Sequence, residues 1–337
     1  MKTLTHALLD FEKEVFDVPK NSYEVLDDLL IKSEEEIDRS TSPNQILSQI
    51  GDLLQDYGFS YESGNTTSES LLEKKCNCEG CVALYHSIGQ VIDFPLSIVK
   101  VPTHVFVRFN EIQEGSFVNW ETTSNRQRDN DEFIEKYNIS PDLISKGIYL
   151  KNLDENERLG LFYHRRGFLR ETKKNDYFGA ISDYSQAISF APDLVEAYYH
   201  RGDAKLNIVN EGVINAKEEE RLLDESILDF SESIRINPEL DTAYLMRGNA
   251  KAKKCDYKGA IKDYTHGIKL DPQDEEGYYL RGAAKKEIGD LRGAKKDFNT
   301  ALFIKPDYSS AYEKLMELEG KKTLNFFERL KNKFYKI

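Results

Sequence analysis

Several things are scarce in this 337-residue chain: it has one Trp, three Met, four Cys and six His, and its 46 Lys and Arg are outnumbered by 59 Asp and Glu, for a net charge of -13. No stretch approaches the roughly 20 consecutive apolar residues of a membrane-spanning helix. Near the amino terminus Asp10, Glu12 and Glu14 interrupt the apolar run that a secretory leader requires. Three of the four cysteines fall within six residues, which is not the spaced framework of a small secreted fold. A cytoplasmic protein with reduced thiols and no membrane span is the expectation.

The acidity is uneven: residues 1–150 hold 13 Lys and Arg against 26 Asp and Glu, whereas residues 151–337 hold 33 of each. An acidic amino-terminal half argues against phosphate-backbone binding there, because nucleic-acid affinity comes largely from neutralising phosphates. An apolar fraction of 39% over this length supports two ordinary cores.

What is present in the carboxy-terminal half is periodicity. Gly248 and Gly282 are 34 residues apart, as are Pro238, Pro272 and Pro306. Four copies align as Tyr163, Gly167, Ala180, Tyr184, Ala187 and Pro192; Tyr198, Gly202, Ser226, Phe230, Ser233 and Pro238; Tyr244, Gly248, Ala260, Tyr264, Gly267 and Pro272; and Tyr278, Gly282, Ala294, Phe298, Ala301 and Pro306. Small residues let two helices approach, aromatics fill the seam between hairpins, and the proline stops each second helix. This pattern resembles the tetratricopeptide repeat. Residues 309–318 begin a fifth helix that caps the stack, and twelve extra residues in repeat two lengthen its helices or form a protruding loop.

Each copy also has Arg immediately before the Gly (Arg166, Arg201, Arg247, Arg281) and Asp three residues after the small residue that opens the second helix (Asp183, Asp229, Asp263, Asp297). The pairing predicts a ladder of Arg–Asp contacts within or between hairpins. An Arg row for an acidic ligand is the alternative. The resemblance implies a groove for a protein or peptide partner. The Lys and Asn that clamp a terminal carboxylate in some members are replaced by His164, Phe168, His200, Thr242 and Met246. Residues 321–337 carry six Lys and Arg against one Glu, with Leu324, Phe327, Leu330, Phe334 and Ile337 at helical spacing. A helix sealing the last repeat is expected there, with docking on the acidic domain or on an anionic membrane surface as alternatives.

The amino-terminal half reads as helices, then strands. Leu8, Phe11, Val15 and Phe16 make one stripe; Ser42 and Pro43 open a helix with Ile46, Ile50, Leu53 and Leu54 on one face; Leu84, Tyr85, Ile88, Val91 and Ile92 mark another that begins near Cys78. Residues 60–70 read as a polar loop. "LSIVKV", "HVFVRFN" and "SFVNWETT" then alternate as three short strands, residues 122–133 as a polar loop, and "SPDLISKG" as a short capped helix.

Cys78 opening a helix, Pro95 seventeen residues on, His104 starting a strand in "PTHVFVR" and Glu121 on the next in "NWETT" together resemble the transglutaminase-like superfamily, whose core is papain-like. The resemblance implies an acyl-transfer site of peptidase or amidase type, with Cys78 as nucleophile, His104 as general base and acid, Glu121 as orienter, and no cofactor or metal. A helix amino terminus and an imidazolium activate such a thiol. The family has Asp where Glu121 stands, and Leu72 occupies the place of an upstream oxyanion donor.

Other readings of "CNCEGC" are a zinc site completed by His86 or His104, or a disulfide between Cys78 and a neighbour. Cys76 and Cys81 are otherwise small fillers, His86 is packed, Trp120 belongs to the core, and Asn119 shares the alternating face of Glu121 and could reach the imidazole. The expected architecture is an α+β transglutaminase-like (papain-like) domain over 1–150, then an all-α tetratricopeptide-repeat superhelix over 158–337. Function is either acyl transfer on a repeat-bound protein, or protein binding by the repeats with an inert amino-terminal scaffold.

Overall fold

In the computed structural model, which describes residues 2–13, 17–61, 71–110 and 117–320, helices α1 (Leu4–Lys13), α2 (Lys20–Glu36) and α3 (Pro43–Asp56) come first. The Gln45 side chain returns to the Ser42 N–H at 3.0 Å, and Pro43 occupies the first turn, so the sequence signal for α3 is met. Val15, Phe16, residues 62–70 and the tail 321–337 lie outside the described residues. Strands β1 (Ser60–Tyr61) and β2 (Lys75–Cys76) form a small parallel pair that hydrophobic patterning did not signal. All three helices pack on α4 (Cys78–Val91).

Strands β3 (Ser97–Val101), β4 (His104–Asn110), β5 (Phe117–Glu121) and β6 (Arg126–Arg128) make an antiparallel meander in sequence order. Alternation gives the sheet two buried faces. Ile98, Val105, Val107, Val118 and Trp120 join the core that contains Leu84, Tyr85 and Ile88 of α4. Val99, Val101 and Phe106 join a second core with Phe133 of α5 (Asn130–Tyr137) and Leu143 of α6 (Pro141–Ser145). The first three strands and α6 follow the sequence reading. Residues 122–133 do not: they contain β6 and the start of α5. The strand has no apolar residue to betray it, whereas Asp129, whose side chain accepts from the Glu132 N–H at 2.8 Å, is a recognisable cap.

The remaining helices are α7 (Glu155–Lys174), α8 (Tyr177–Phe190), α9 (Val195–Glu211), α10 (Ala216–Ile236), α11 (Asp241–Lys253), α12 (Tyr257–Leu270), α13 (Glu275–Glu287), α14 (Leu291–Ile304) and α15 (Ser309–Leu318). The chain divides into two units, one of residues 1–174 with 186–194 and one of 175–185 with 195 onward. Helix α7 falls wholly in the first, and α8 is shared. In the second unit α9 pairs with α10, α11 with α12 and α13 with α14, each hairpin packs on the next, and the first helices of successive hairpins are neighbours. Each second helix ends two residues before its proline. The insertion in repeat two lengthens both helices: α9 has 17 residues and α10 has 21, against 13 and 14 in α11 and α12. Gly248 is required by close approach, since a Cβ there would lie 2.5 Å from the Tyr264 ring. That ring therefore fills a seam inside one hairpin, where the sequence reading put the aromatics between hairpins.

The predicted ladder is present in the second unit and lies within hairpins. Arg247 grips Asp263 through Nε (3.0 Å) and Nη2 (2.7 Å), and Arg281 grips Asp297 at 2.9 and 2.8 Å. Arg201 Nη2 donates to Asp229 at 2.6 Å. Two further partners carry no obvious sequence label. A lysine four residues after each arginine, Lys205, Lys251 or Lys285, donates to the same carboxylate at 2.7–2.9 Å. The remaining guanidinium nitrogen reaches back to the preceding hairpin, from Arg201 to Ser185 and from Arg247 to Ser231 at 3.1 Å, and from Arg281 to Thr265 at 3.3 Å. In these three arginines Nε, Nη1 and Nη2 are each engaged by carboxylate or hydroxyl, an arrangement that favours the ladder over a row for an acidic ligand.

Breaking a buried pair leaves the partner charge uncompensated, at a cost of about 3–5 kcal/mol, and Lys251 lessens that at Asp263. Arg247→Met is therefore expected to destabilise the α11–α12 hairpin by about 2–4 kcal/mol. Hydrogen exchange should rise in α10 to α12 and stay unchanged in α4; unaltered protection in α11 would remove the ladder from what holds the stack.

Candidate functional site

Asn77 caps α4, its side chain accepting from the Gly80 N–H at 2.8 Å, so Cys78 sits in the first turn. His104 follows the two-residue connection Pro102–Thr103, in which Thr103 adopts φ 57°, a left-handed conformation unusual for a branched residue. Glu121 is the last residue of β5. The fold brings the last two together: His104 Nε2 lies 2.8 and 3.0 Å from the two Glu121 oxygens, with the imidazole 9% and the carboxylate 2% exposed. One face of the imidazole stacks on Tyr137, with centroids 5.8 Å apart. Thr123 secures Glu121, its hydroxyl donating at 2.8 Å and its N–H at 3.2 Å. Cys78 belongs to the same neighbourhood: the Val105 backbone, next to His104, interacts with its sulfur, and Tyr61 senses Cys78, Tyr137 and Glu121 together.

The electrostatics treat the acid and the thiol differently. Burial pushes Glu121 up, but the hydrogen bond and charge of His104, with Thr123, outweigh it and hold the carboxyl below its usual range. Burial, then the Glu79 carboxylate, pushes the Cys78 thiol up to about 11, against weaker help from the Val105 backbone and Arg165. Arg165 forms a half-buried ion pair with Glu79. Neither residue was signalled by the sequence, although Glu79 adjoins the predicted nucleophile.

The other cysteines depart from expectation. Cys81 is buried in the core, as a small filler would be, but it is disulfide-bonded, which departs from the expectation of reduced thiols and leaves it no thiolate ligand for zinc. Cys78 and Cys255 are free. Among the described residues no three His, Cys, Asp or Glu side chains gather as a metal site. Asn119 does not turn to the imidazole: it accepts from Arg108 Nε at 2.7 Å and donates to Asn130 at 2.9 Å, within a network that holds Arg108 buried. Trp120 is core, donating to Asn125 at 3.1 Å, and His86 is packed against Arg158 at 3.2 Å. Burial and the Arg158 charge push His86 down to about 4, so it is neutral at pH 7.

A second candidate surface lies on the first helices of the second unit. Tyr199 and Asp203 on α9, Asp241 and Thr242 on α11, and Glu276 and Tyr279 on α13 lie along it. Tyr199 hydrogen-bonds Thr242 and senses Asp203, Asp241 and Glu276. Tyr308, which precedes α15, packs against Tyr279 at 5.3 Å and senses Glu276. These residues take no part in the Arg–Asp ladder.

A TPR repeat model matches residues 169–208 and a tetratricopeptide repeat model matches 241–274, the latter coinciding with α11 and α12. The chain carries tetratricopeptide repeats. No curated protein matches the sequence. Among solved structures it is similar to MamA from Desulfovibrio magneticus RS-1 (16% identity over 50% of this chain and 85% of that one, TM-score 0.43) and to TTC0263, a thermophilic repeat protein of Thermus thermophilus (14%, 49% and 97%, TM-score 0.40). The first repeat domain of Spaghetti (RPAP3), bound to the HSP90 peptide SRMEEVD, is 19% identical over 37% of this chain and 90% of that one, with a TM-score of 0.33.

Because only the thiolate alkylates, a thiol at about 11 reacts slowly at neutral pH. Iodoacetamide at pH 7.5 is expected to modify exposed Cys255 at least tenfold faster than Cys78, as read by peptide mass spectrometry. Preferential labelling of Cys78 would mean a thiolate stabilised far beyond what its surroundings supply.

Proposed function

We propose that this chain is a protein-binding repeat protein whose α9–α11–α13 face takes up a peptide segment of a partner. One observation carries the reading: the ladder residues are consumed in holding the hairpins together, while the first helices carry half-buried Tyr199 and Tyr279, each packed at one side, next to half-buried Asp203 and exposed Thr242 and Glu276 that no arginine of the ladder meets. Aromatic rings supply contact area at low entropic cost, and unpaired polar groups beside them supply orientation. Thr242, exposed in the middle of that face, tests it without disturbing a core. Proteins retained by the intact chain are expected to be lost at least tenfold from Thr242→Arg and kept by Glu220→Arg, an exposed position on a second helix. Equal retention by both variants would overturn the assignment of the face.

A second reading is favoured by the bonded His104–Glu121 pair: a Cys78-dependent acyl-transfer site of the transglutaminase-like type, serving a protein held by the repeats. In it the Cys78 proton passes to His104, the sulfur attacks an acyl carbonyl, His104 returns the proton to the leaving amine, and water or a second amine releases the acyl group. Glu121 orients the imidazole. The high pKa of the half-buried thiol in the free chain opposes this reading and leaves the repeats as the leading function. If His104 does activate the sulfur, His104→Ala slows Cys78 alkylation at pH 7.5 tenfold or more. An unchanged rate would leave the amino-terminal unit as a scaffold.

A further inference from the structure

The face described above is acidic, and among the described residues the basic group that acts on it is Lys305, which is already paired with Glu275 at 2.9 Å. Among the described residues neither Asp203 nor Glu276 has an ion-pair partner, and the only side-chain contact of Asp203 is Asn207 at 3.5 Å. Asp203 is half-buried on α9 and its carboxyl is pushed up by burial; Glu276 is exposed, and its carboxyl is pushed up by partial burial and by Asp274 and Glu275 against an opposing pull from Lys305. Elsewhere in this unit buried carboxylates are met by Arg and Lys, as at Asp229, Asp263 and Asp297. The exception lies beside Tyr199 and Tyr279, where a cation with an apolar neighbour would be desolvated against ring and carboxylate together.

The chain carries a segment of complementary chemistry. Residues 321–337 follow α15 directly and combine Lys321, Lys322, Arg329, Lys331, Lys333 and Lys336 with Leu324, Phe327, Leu330 and Phe334. Helix α15 neighbours α13, so the row of first helices that forms the face continues to the last described helix. Seventeen residues reach about 25 Å as a helix and up to ~55 Å extended, and three adjacent helices span roughly 20 Å. We propose that residues 321–337 occupy the α9–α11–α13 face of their own chain, with Lys and Arg meeting Asp203 and Glu276 and the apolar residues lying on Tyr199 and Tyr279. This rests on reading that face as the binding face: an external partner displaces the segment, and one with basic and apolar residues at similar spacing competes best.

The full chain with p-benzoylphenylalanine in place of Phe327 tests this. Irradiation at 150 mM salt is expected to give intramolecular crosslinks mapping to α9, α11 or α13. Asp203→Asn with Glu276→Gln should cut their yield at least fivefold, whereas Glu219→Gln with Glu220→Gln should leave it within twofold. Crosslinks confined to α14 and α15, crosslinks to a second copy, no crosslink at all, or equal loss in both double variants would each overturn the proposal. Crosslinks to α15 with partner retention still sensitive to Thr242→Arg would remove the tail and leave the binding face standing; the converse would sink the partner reading alone.

Discussion

The second unit depends on a carboxylate that could not be buried alone. Asp229, Asp263 and Asp297 each sit in the seam of a hairpin and survive there because a guanidinium and an ammonium converge on them. The arginine also reaches a hydroxyl on the preceding hairpin, so one side chain fixes the angle within a repeat and the spacing to its neighbour. Apolar packing of Ala260 and Tyr264, or Ala294 and Phe298, would tolerate small rotations; a forked donor between two acceptors does not.

The amino-terminal unit is governed by a different constraint, the two-faced burial of a short sheet. Alternation along β4 sends Val105 and Val107 to one core and Phe106 to the other, and the tight turn before it fixes where His104 emerges. Glu121 is bound on both sides, by His104 and by Thr123, and this makes it an ionised acid in a buried place. The neighbouring thiol has no such support. A half-buried sulfur beside the carboxylate of Glu79 is better suited to staying protonated than to attack.

Legibility in the sequence followed the strength of each local signal. Repeats announced themselves because glycine, proline and aromatic positions recur at a fixed spacing, and the Arg–Asp ladder was readable for the same reason. The lysine of each triad was not, since Lys at a helical surface position is ordinary until a carboxylate is known to face it. In the first unit, alternation and order make β3 to β5 legible, together with the placement of Cys78 at a helix start, His104 at a strand start and Glu121 at a strand end. Strand β6 is polar throughout and gives no signal, the partner of Asn119 depends on where Arg108 lies, and the state of Cys81 depends on geometry that spacing does not encode.

The long hairpin of repeat two has a further consequence. Helices α9 and α10 extend four and seven residues beyond their counterparts, about 6 and 10 Å of additional rise. Leu206, Ile208, Val209, Leu222 and Leu223 cluster with Ile214 and run on into Phe230 and Ala250, so the overhang is an outgrowth of the repeat seam and shares its apolar interior.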